Sequence, residues 1–383
     1  MKIVRVTATP LNVPLQITLL GLDKKTTLSA CHVEVETDSG IVGHGLTAIT
    51  EEDVVAQAVN GVIAPNIVGD DPLLHERIWE KLYWTLMPRG QTGYAAHALA
   101  AVDLALWDIK GKALNLPVWK LLGGARARVP VYATFGFGFF DREQLAAAAK
   151  KWVGDGFRRL KMTVAGEALK HKDERPLMDM IREDARRVAA VRDAVGSDVE
   201  IFIDANCNLD LYHAQKLVEM IKPLNISFFE EPLTQNDALG MAQLRRNGGI
   251  ALACGQNEGL LYRFRDLLAA QAIDFAQPNV CITGGFTQCL KIAGLAASYN
   301  VSVANGGAWS YHNMHLQAGV ANGSLVEHHY LAVELYKTLY RDLPMPKDGW
   351  LTLPDKPGLG FEPHRDAIAE IARLPLSLGK GKG

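Results

Sequence analysis

Cysteine is scarce in this chain. The five present, Cys31, Cys207, Cys254, Cys281 and Cys289, are scattered and odd in number, which argues against a disulfide framework and makes the cytoplasm the expected location. No apolar run reaches membrane-spanning length. Ala95–Leu106 comes nearest, but it is too short and carries His97 and Asp103. The amino terminus, MKIVRVTATPLNVPL, alternates like a strand and lacks the apolar core of a signal peptide. Charge of either sign is not in excess: the net value of −2 gives no reason to expect a nucleic acid or an anionic membrane as partner. Low-complexity sequence is confined to Gly379–Gly383, expected to fray.

What is present is an ordinary globular composition, 48% apolar and 21% charged, over 383 residues, enough for a barrel with a covering domain. Ile3–Val6 and His32–Glu36 alternate, and Asp38-Ser39-Gly40 makes a turn before Ile41–His44. From Asp53 to Lys112 the pattern is helical, clearest over Ala95–Lys112, where Ala98, Val102, Ala105, Leu106 and Ile109 form a stripe. Strands followed by helices predict a separate α+β capping domain over residues 1–125.

After Arg128 short β-branched runs alternate with amphipathic helices. Val129–Thr134 precedes Leu145–Val153, Arg158–Val164 precedes Asp184–Val195, and Glu200–Asp204 precedes Tyr212–Ile221. Ile226–Glu230, Ile250–Cys254, Ile273–Gln277, Val301–Asn305 and Leu325–His329 complete eight strand candidates. This is the α/β pattern of a (β/α)8 TIM barrel, here over residues 126–349. An open doubly wound sheet fits less well, because polar residues repeatedly follow the strands and no glycine-rich dinucleotide turn appears after the first. Trp350–Leu353 and Pro357–Glu362, in the closing stretch 350–383, are expected to return to the capping domain.

In such a barrel, reactive groups sit at the carboxyl ends of strands. Asp204, Glu230 and Gln256 end three successive strands, and hard oxygen ligands from neighbouring tips suit magnesium. Glu258 shares a face with Gln256 if the strand stays extended, and is the alternative third ligand. Arg159, Lys161 and Thr163 share the inward face of the second strand. A lysine there can hold a carboxylate or, with a depressed pKa, act as a base. Glu231 is expected to point outward into a structural contact. Asn279 and Asn305 cannot exchange protons near neutral pH and read as hydrogen-bonding groups. Glu327 and His329 share a face of the last strand, and His312 and His315 follow the seventh.

In these motifs the chain resembles the enolase superfamily, close to its mandelate racemase and muconate lactonising branch. Ala98–Lys112 (ALAAVDLALWDIKGK), Pro117–Gly124 (PVWKLLGG), Ile201–Asn206, Phe229–Pro232 and PGLGFE at Pro357–Glu362 resemble the branch's signatures in order and spacing. The resemblance implies a capping domain over a modified barrel. It also implies a magnesium ion on Asp204, Glu230 and Gln256, and abstraction of a proton α to a carboxylate. It further implies that Glu327 hydrogen-bonds the substrate carboxylate. The branch carries lysine, any residue, lysine on strand two, and an aspartate–histidine dyad on strands six and seven. Here those base positions hold Thr163, Asn279 and Asn305. Lys161 becomes the first candidate for proton transfer, with His329 or His312 as substitutes, and Thr163, Asn206, Glu258, Asn279 and Asn305 are expected around the substrate. The resulting expectation is a dehydratase of sugar-acid type acting on a small hydroxy-carboxylate, with a cycloisomerase, a racemase or a non-catalytic metal-binding protein as alternatives. Specificity is expected from loops at Gln16–Lys25 and His44–Asp53, and association of copies of the chain is expected from the branch.

Overall fold

The computed structural model describes residues 1–19, 22–48, 51–86, 88 and 90–376. Strands β1 (Ile3–Leu19) and β2 (Leu22–Thr37) form one long antiparallel hairpin, to which β3 (Val42–Ala48) adds against β2. Leu11, Val13, Leu15 and Ile17 are buried at period two while Pro14, Gln16 and Thr18 are exposed, so one face of the strand is buried and the other is open. Gln16 faces Lys25 in register, so most of the stretch expected as a first specificity loop is ladder. The second, His44–Asp53, is strand through Ala48 and helix from Glu52. The remaining parts of those two loops, Leu20, Gly21, Ile49 and Thr50, lie outside the described residues, as does the Gly379–Gly383 tail.

The helix Tyr94–Leu114 is buried on nearly all faces rather than along one stripe. It packs between β3 and the helix Gly285–Ser298 of the barrel. Glycine makes the β3 approach possible. A Cβ at Gly43 or Gly45 would stand 2.1 and 1.9 Å from the carbonyl oxygens of Ala105 and Ala101. Asn115, in the left-handed region at φ 53°, ends the helix.

Eight parallel strands follow: β4 (Arg128–Gly136), β5 (Arg159–Thr163), β6 (Glu200–Asp204), β7 (Phe228–Glu230), β8 (Leu252–Cys254), β9 (Phe275–Ala276), β10 (Ser302–Val303) and β11 (Val326–His329). Their spatial order is β10-β9-β8-β7-β6-β5-β4-β11. The ring closes where Val303 and Asn305 N–H donate to the carbonyls of Asn322 and Leu325, both at 2.8 Å. A helix follows each strand, and several start earlier than periodicity indicates because of polar caps. Asp141 with Gln144 makes a reciprocal capping box at Arg142, and Asp210 caps the helix at Leu211.

The end of the chain departs from expectation. After β12 (Tyr340–Arg341), β13 (Trp350–Thr352) does not return to the amino-terminal sheet but pairs antiparallel with β4 at the outer edge of the barrel. The next turn does reach the amino-terminal part: Leu359 N–H donates to Asp108 Oδ1 at 2.9 Å, and Val118 N–H to the Gly358 carbonyl at 2.8 Å. β14 (Glu362–Pro363) then pairs with β12.

Alternation along the strands divides the barrel interior into two levels. Tyr132, Phe202 and Phe228 point into the barrel and form its floor, with the Phe202 and Phe228 rings stacked at 4.1 Å. Two residues further along the same strands come Thr134, Asp204 and Glu230. The floor is apolar and closed, and the level above it carries the chemistry.

Candidate active site

Lys161 is the centre of that upper level. Its Nζ lies 3.1 Å from Asp204 Oδ2, 2.9 Å from both oxygens of Glu230 and 3.0 Å from Glu327 Oε1. All four side chains are buried. Burial alone would pull the lysine pKa down, but Glu230, Glu327, Tyr132 and Asp204 outweigh it and hold the ammonium well above the usual lysine range. Lys161 is therefore a cation here, not the depressed-pKa base considered from sequence. Burial and the neighbouring Asp204 raise Glu230 well above the usual carboxylate range. Glu327 moves the other way: burial opposes its charge, but Lys161, His329, Thr134 and the Ala308 N–H lower its pKa overall. One ammonium thus serves three carboxyl groups, and the cluster holds more acidic groups than cationic ones.

Each carboxylate is held by further neighbours, of which the sequence singles out Asn206 but not Thr134, Ala308 or Gln277. Thr134 Oγ1 donates to Glu327 Oε1 at 2.5 Å, and Ala308 N–H donates to Glu327 Oε2 at 2.7 Å. Gln277 Nε2 donates to Glu230 Oε2 at 2.9 Å. Asn206 N–H donates to Asp204 Oδ1 at 2.8 Å. Alternation did contain the signal for Thr134 and Gln277, since each ends an inward-facing register.

Gln256 is near this cluster but is tied to Glu231: its Nε2 donates to Glu231 Oε2 at 2.9 Å and approaches Asn206 Oδ1 at 3.4 Å. Glu231, expected to face outward, is fully buried. It sits at φ 41°, a left-handed turn that ends the strand alternation, and is enclosed by Cys207, Asn236, Gln256 and Asn257. Among the described residues no three Asp, Glu, His or Cys side chains converge as a metal-sized cluster by themselves. Lys161 bridges Asp204 and Glu230, and the third oxygen is an amide.

Other expected site residues are occupied elsewhere. Glu258 accepts from Asn236 Nδ2 and from Arg263 Nε, both at 3.0 Å, and makes no contact with Asp204 or Glu230. Asn279 Nδ2 donates to the Gly306 and Gly307 carbonyls at 2.7 and 3.0 Å, while its Oδ1 accepts from Cys281 N–H and Asn313 Nδ2. Asn305 Nδ2 donates to the Gly306 and Ala308 carbonyls, and its Oδ1 accepts the Glu327 N–H. Both asparagines are consumed in shaping the Gly306–Trp309 loop, so neither presents a free group to a ligand. Thr163 Oγ1 donates to the Gly136 carbonyl at 3.0 Å. His312 is fully buried against Tyr336, Tyr340 and Phe361, and its Nδ1 pairs with the Tyr336 hydroxyl; it is remote from the cluster. His315 is likewise engaged, with the Leu359 carbonyl. His329 does stand beside the cluster, its ring packed on Phe137 at 5.3 Å. Burial lowers its pKa against the pull of Glu327. Its Nδ1 accepts the Ala332 N–H at 3.4 Å, which in the neutral ring leaves the proton on Nε2.

The amino-terminal 1–123 match the model of the mandelate racemase/muconate lactonizing enzyme N-terminal domain, and 144–367 that of the enolase C-terminal domain-like family. The chain belongs to the mandelate racemase/muconate lactonizing enzyme branch of the enolase superfamily. Among curated proteins it is 32% identical to the 3,6-anhydro-alpha-L-galactonate cycloisomerase of Streptomyces coelicolor, over 89% of this chain and 90% of that one. It is 30% identical to the arabinonate dehydratase of Saccharolobus solfataricus, over 88% of both. Among solved structures, a racemase from Streptomyces coelicolor with bound magnesium superposes with a TM-score of 0.86 at 28% identity, covering 96% of this chain and 99% of that one. The modified barrel with an amino-terminal capping part is thus the fold of its family. No helix among the described residues is long and apolar enough to cross a membrane.

Proposed function

We propose that this enolase-superfamily enzyme is a magnesium-dependent lyase or isomerase that forms an enediolate from a small hydroxy-carboxylate, in the first instance a sugar-acid dehydratase. The observation that carries the reading is the buried cluster in which three carboxylates at strand tips face a single ammonium. The excess of acidic groups over cationic ones favours a cation, and the all-oxygen donor set suits a hard divalent one. Asp204, Glu230 and the carbonyl oxygen of Gln256 would hold it. When bound, magnesium stabilises negative charge developing on a substrate carboxylate, which makes the weakly acidic α-proton removable.

The rest falls to this chain's side chains. Lys161 Nζ and Glu327 Oε1, 3.0 Å apart, form the proton-carrying pair: Glu327, the ionised member, takes the α-proton, Lys161 holds it ionised as an ammonium, and Thr134 with the Ala308 N–H fixes Glu327 in the cluster. His329, with its proton on Nε2, would serve as the donor to a leaving oxygen. With Asn279 and Asn305 locked into the loop, no second proton-carrying pair stands opposite Lys161 among the described residues, which disfavours two-base racemisation. Cycloisomerisation uses the same first step and is the second reading, favoured by the 32% identical cycloisomerase. Five free cysteines, four of them buried, support a reducing location such as the cytoplasm.

The test is exchange of the α-proton in deuterium oxide with magnesium across a panel of sugar acids. Loss of water from the product marks dehydration, and an isomer of unchanged mass marks cycloisomerisation. Protein that binds magnesium but exchanges with no acid would refute enolisation. Retained exchange in Lys161→Ala would remove Lys161 from proton transfer.

A further inference from the structure

Glu231 is a fully buried carboxylate with no cationic side chain in ion-pair reach among the described residues. Its partners are amides: Gln256 Nε2 at 2.9 Å, Asn257 Nδ2 at 2.7 Å and Asn236 Nδ2 at 3.0 Å, with Cys207 Sγ at 3.5 Å. Such a group is tolerated only when every neighbouring dipole is turned toward it. The carboxylate therefore dictates which end of each amide it meets, because a carbonyl oxygen facing it would be repelled. For Gln256 the result is one orientation. The NH2 end is spanned between Glu231 and Asn206, and the carbonyl oxygen faces the opposite way. There it lies against Gly307, where an added Cβ would stand 3.0 Å from it. The adjoining Gly306 abuts Glu230 Oε1 in the same manner, at 3.1 Å. The Gln256 carbonyl and the Glu230 carboxylate thus both lie against the Gly306–Gly307 turn.

We propose that Glu231 is a positioning residue that sets the Gln256 amide so that its oxygen, and not its NH2, is offered to a divalent cation alongside Asp204 and Glu230. An amide has a wrong end, and a carboxylate at this strand tip would not. Glu231 is what makes a neutral residue serviceable there. The inference rests on Gln256 as the third ligand in the proposed function.

Calorimetric titration of metal-free protein with magnesium alone, and with manganese followed by electron paramagnetic resonance, tests it. Glu231→Gln removes the charge that orients the amide, and the affinity is expected to fall about tenfold while the melting temperature of the metal-free protein does not fall. A lowered melting temperature with wild-type affinity would overturn the proposal in favour of a packing role. In a Gln256→Glu background, where both ends of the side chain are alike, Glu231→Gln is expected to leave affinity unchanged or raise it; an equal loss in both backgrounds overturns the proposal. If Glu231→Gln does not fold, Asn257→Ala loosens the carboxylate from the surface side and should weaken metal binding, and unchanged affinity overturns the proposal. Wild-type protein that binds neither metal, or Gln256→Ala that binds like wild type, refutes the third-ligand assignment and this inference with it. Weak binding by Gln256→Ala beside wild-type binding by Glu231→Gln refutes this inference alone.

Discussion

Replacing Lys161 with methionine keeps an unbranched side chain, one atom shorter, and removes the counter-ion that the described residues give the buried cluster. Its contacts with Asp204, Glu230 and Glu327 lie at 2.9–3.1 Å. At an effective dielectric of about 20, each is worth roughly 5 kcal/mol of direct attraction. Desolvation of the ammonium and of the carboxylates cancels most of that sum. Removing one partner of a buried ion pair nevertheless destabilises by about 3–5 kcal/mol, since the remaining charges stay buried without compensation. Lys161→Met should therefore lose about 3–5 kcal/mol in urea unfolding of the metal-free protein near pH 7.5. Magnesium should then restore more stability to the variant than it adds to wild type, because it meets carboxylates that no ammonium shares. At a hundredfold excess over Kd, ligand linkage alone is worth about 2.7 kcal/mol. If metal-free Lys161→Met were as stable as wild type, or magnesium stabilised both equally, the cluster would not carry the charge described here.

Four more outcomes are expected. Asp103, buried beneath the amino end of the helix Gly285–Ser298, accepts from Thr287 N–H and Oγ1, and burial, against those bonds, pushes its pKa up from 3.8 to about 7. Between those values the folded state binds more protons than the unfolded one, so this group's contribution to stability falls as pH rises through the window. The full penalty, up to about 4 kcal/mol, is present above pH 7. Asp103→Asn cannot titrate, so its stability relative to wild type should improve from pH 4 to pH 8 in urea unfolding, and parallel profiles would contradict this. Asn305→Ala deletes three buried hydrogen bonds and should cost about 2–3 kcal/mol, read as a lower Tm; a raised KM at unchanged Tm would return Asn305 to substrate binding. Gly306→Ala sets a Cβ 2.7 Å from Gln277 Nε2 and 3.1 Å from Glu230 Oε1, so it should weaken magnesium binding in calorimetry at a stability cost of about 1–3 kcal/mol. Glu258→Gln should leave magnesium affinity unchanged, and a tenfold loss would reinstate Glu258 as a ligand.

Strand-tip residues were legible because two simple periodicities meet in this chain. Alternation places Tyr132 and Thr134, Phe202 and Asp204, or Phe228 and Glu230 on one face, and the β/α rhythm places their carboxyl ends at one mouth. That logic fails where the backbone leaves the extended region. Glu231, Ala308 and Trp309 take left-handed conformations at φ 41°, 66° and 60°, so no period two describes them. It also fails where polar side chains satisfy the backbone. From sequence, Asn279 and Asn305 look like ligand-binding amides at strand ends, yet the loop they support takes nearly all of their hydrogen-bonding capacity.

Sequence alone determined the eightfold β/α rhythm, the paired strands at the start and the oxygen-rich strand tips. These are local or periodic properties, carried by residue type and spacing. Only the tertiary structure decided that Lys161 is an ammonium among three carboxylates, that Glu258 belongs to Arg263, that His312 lies in a distant aromatic core and that β13 joins the barrel. Each of these depends on which groups meet across tens or hundreds of residues. Charge state and hydrogen-bond occupancy follow from such meetings, because a buried polar group takes its character from its partners.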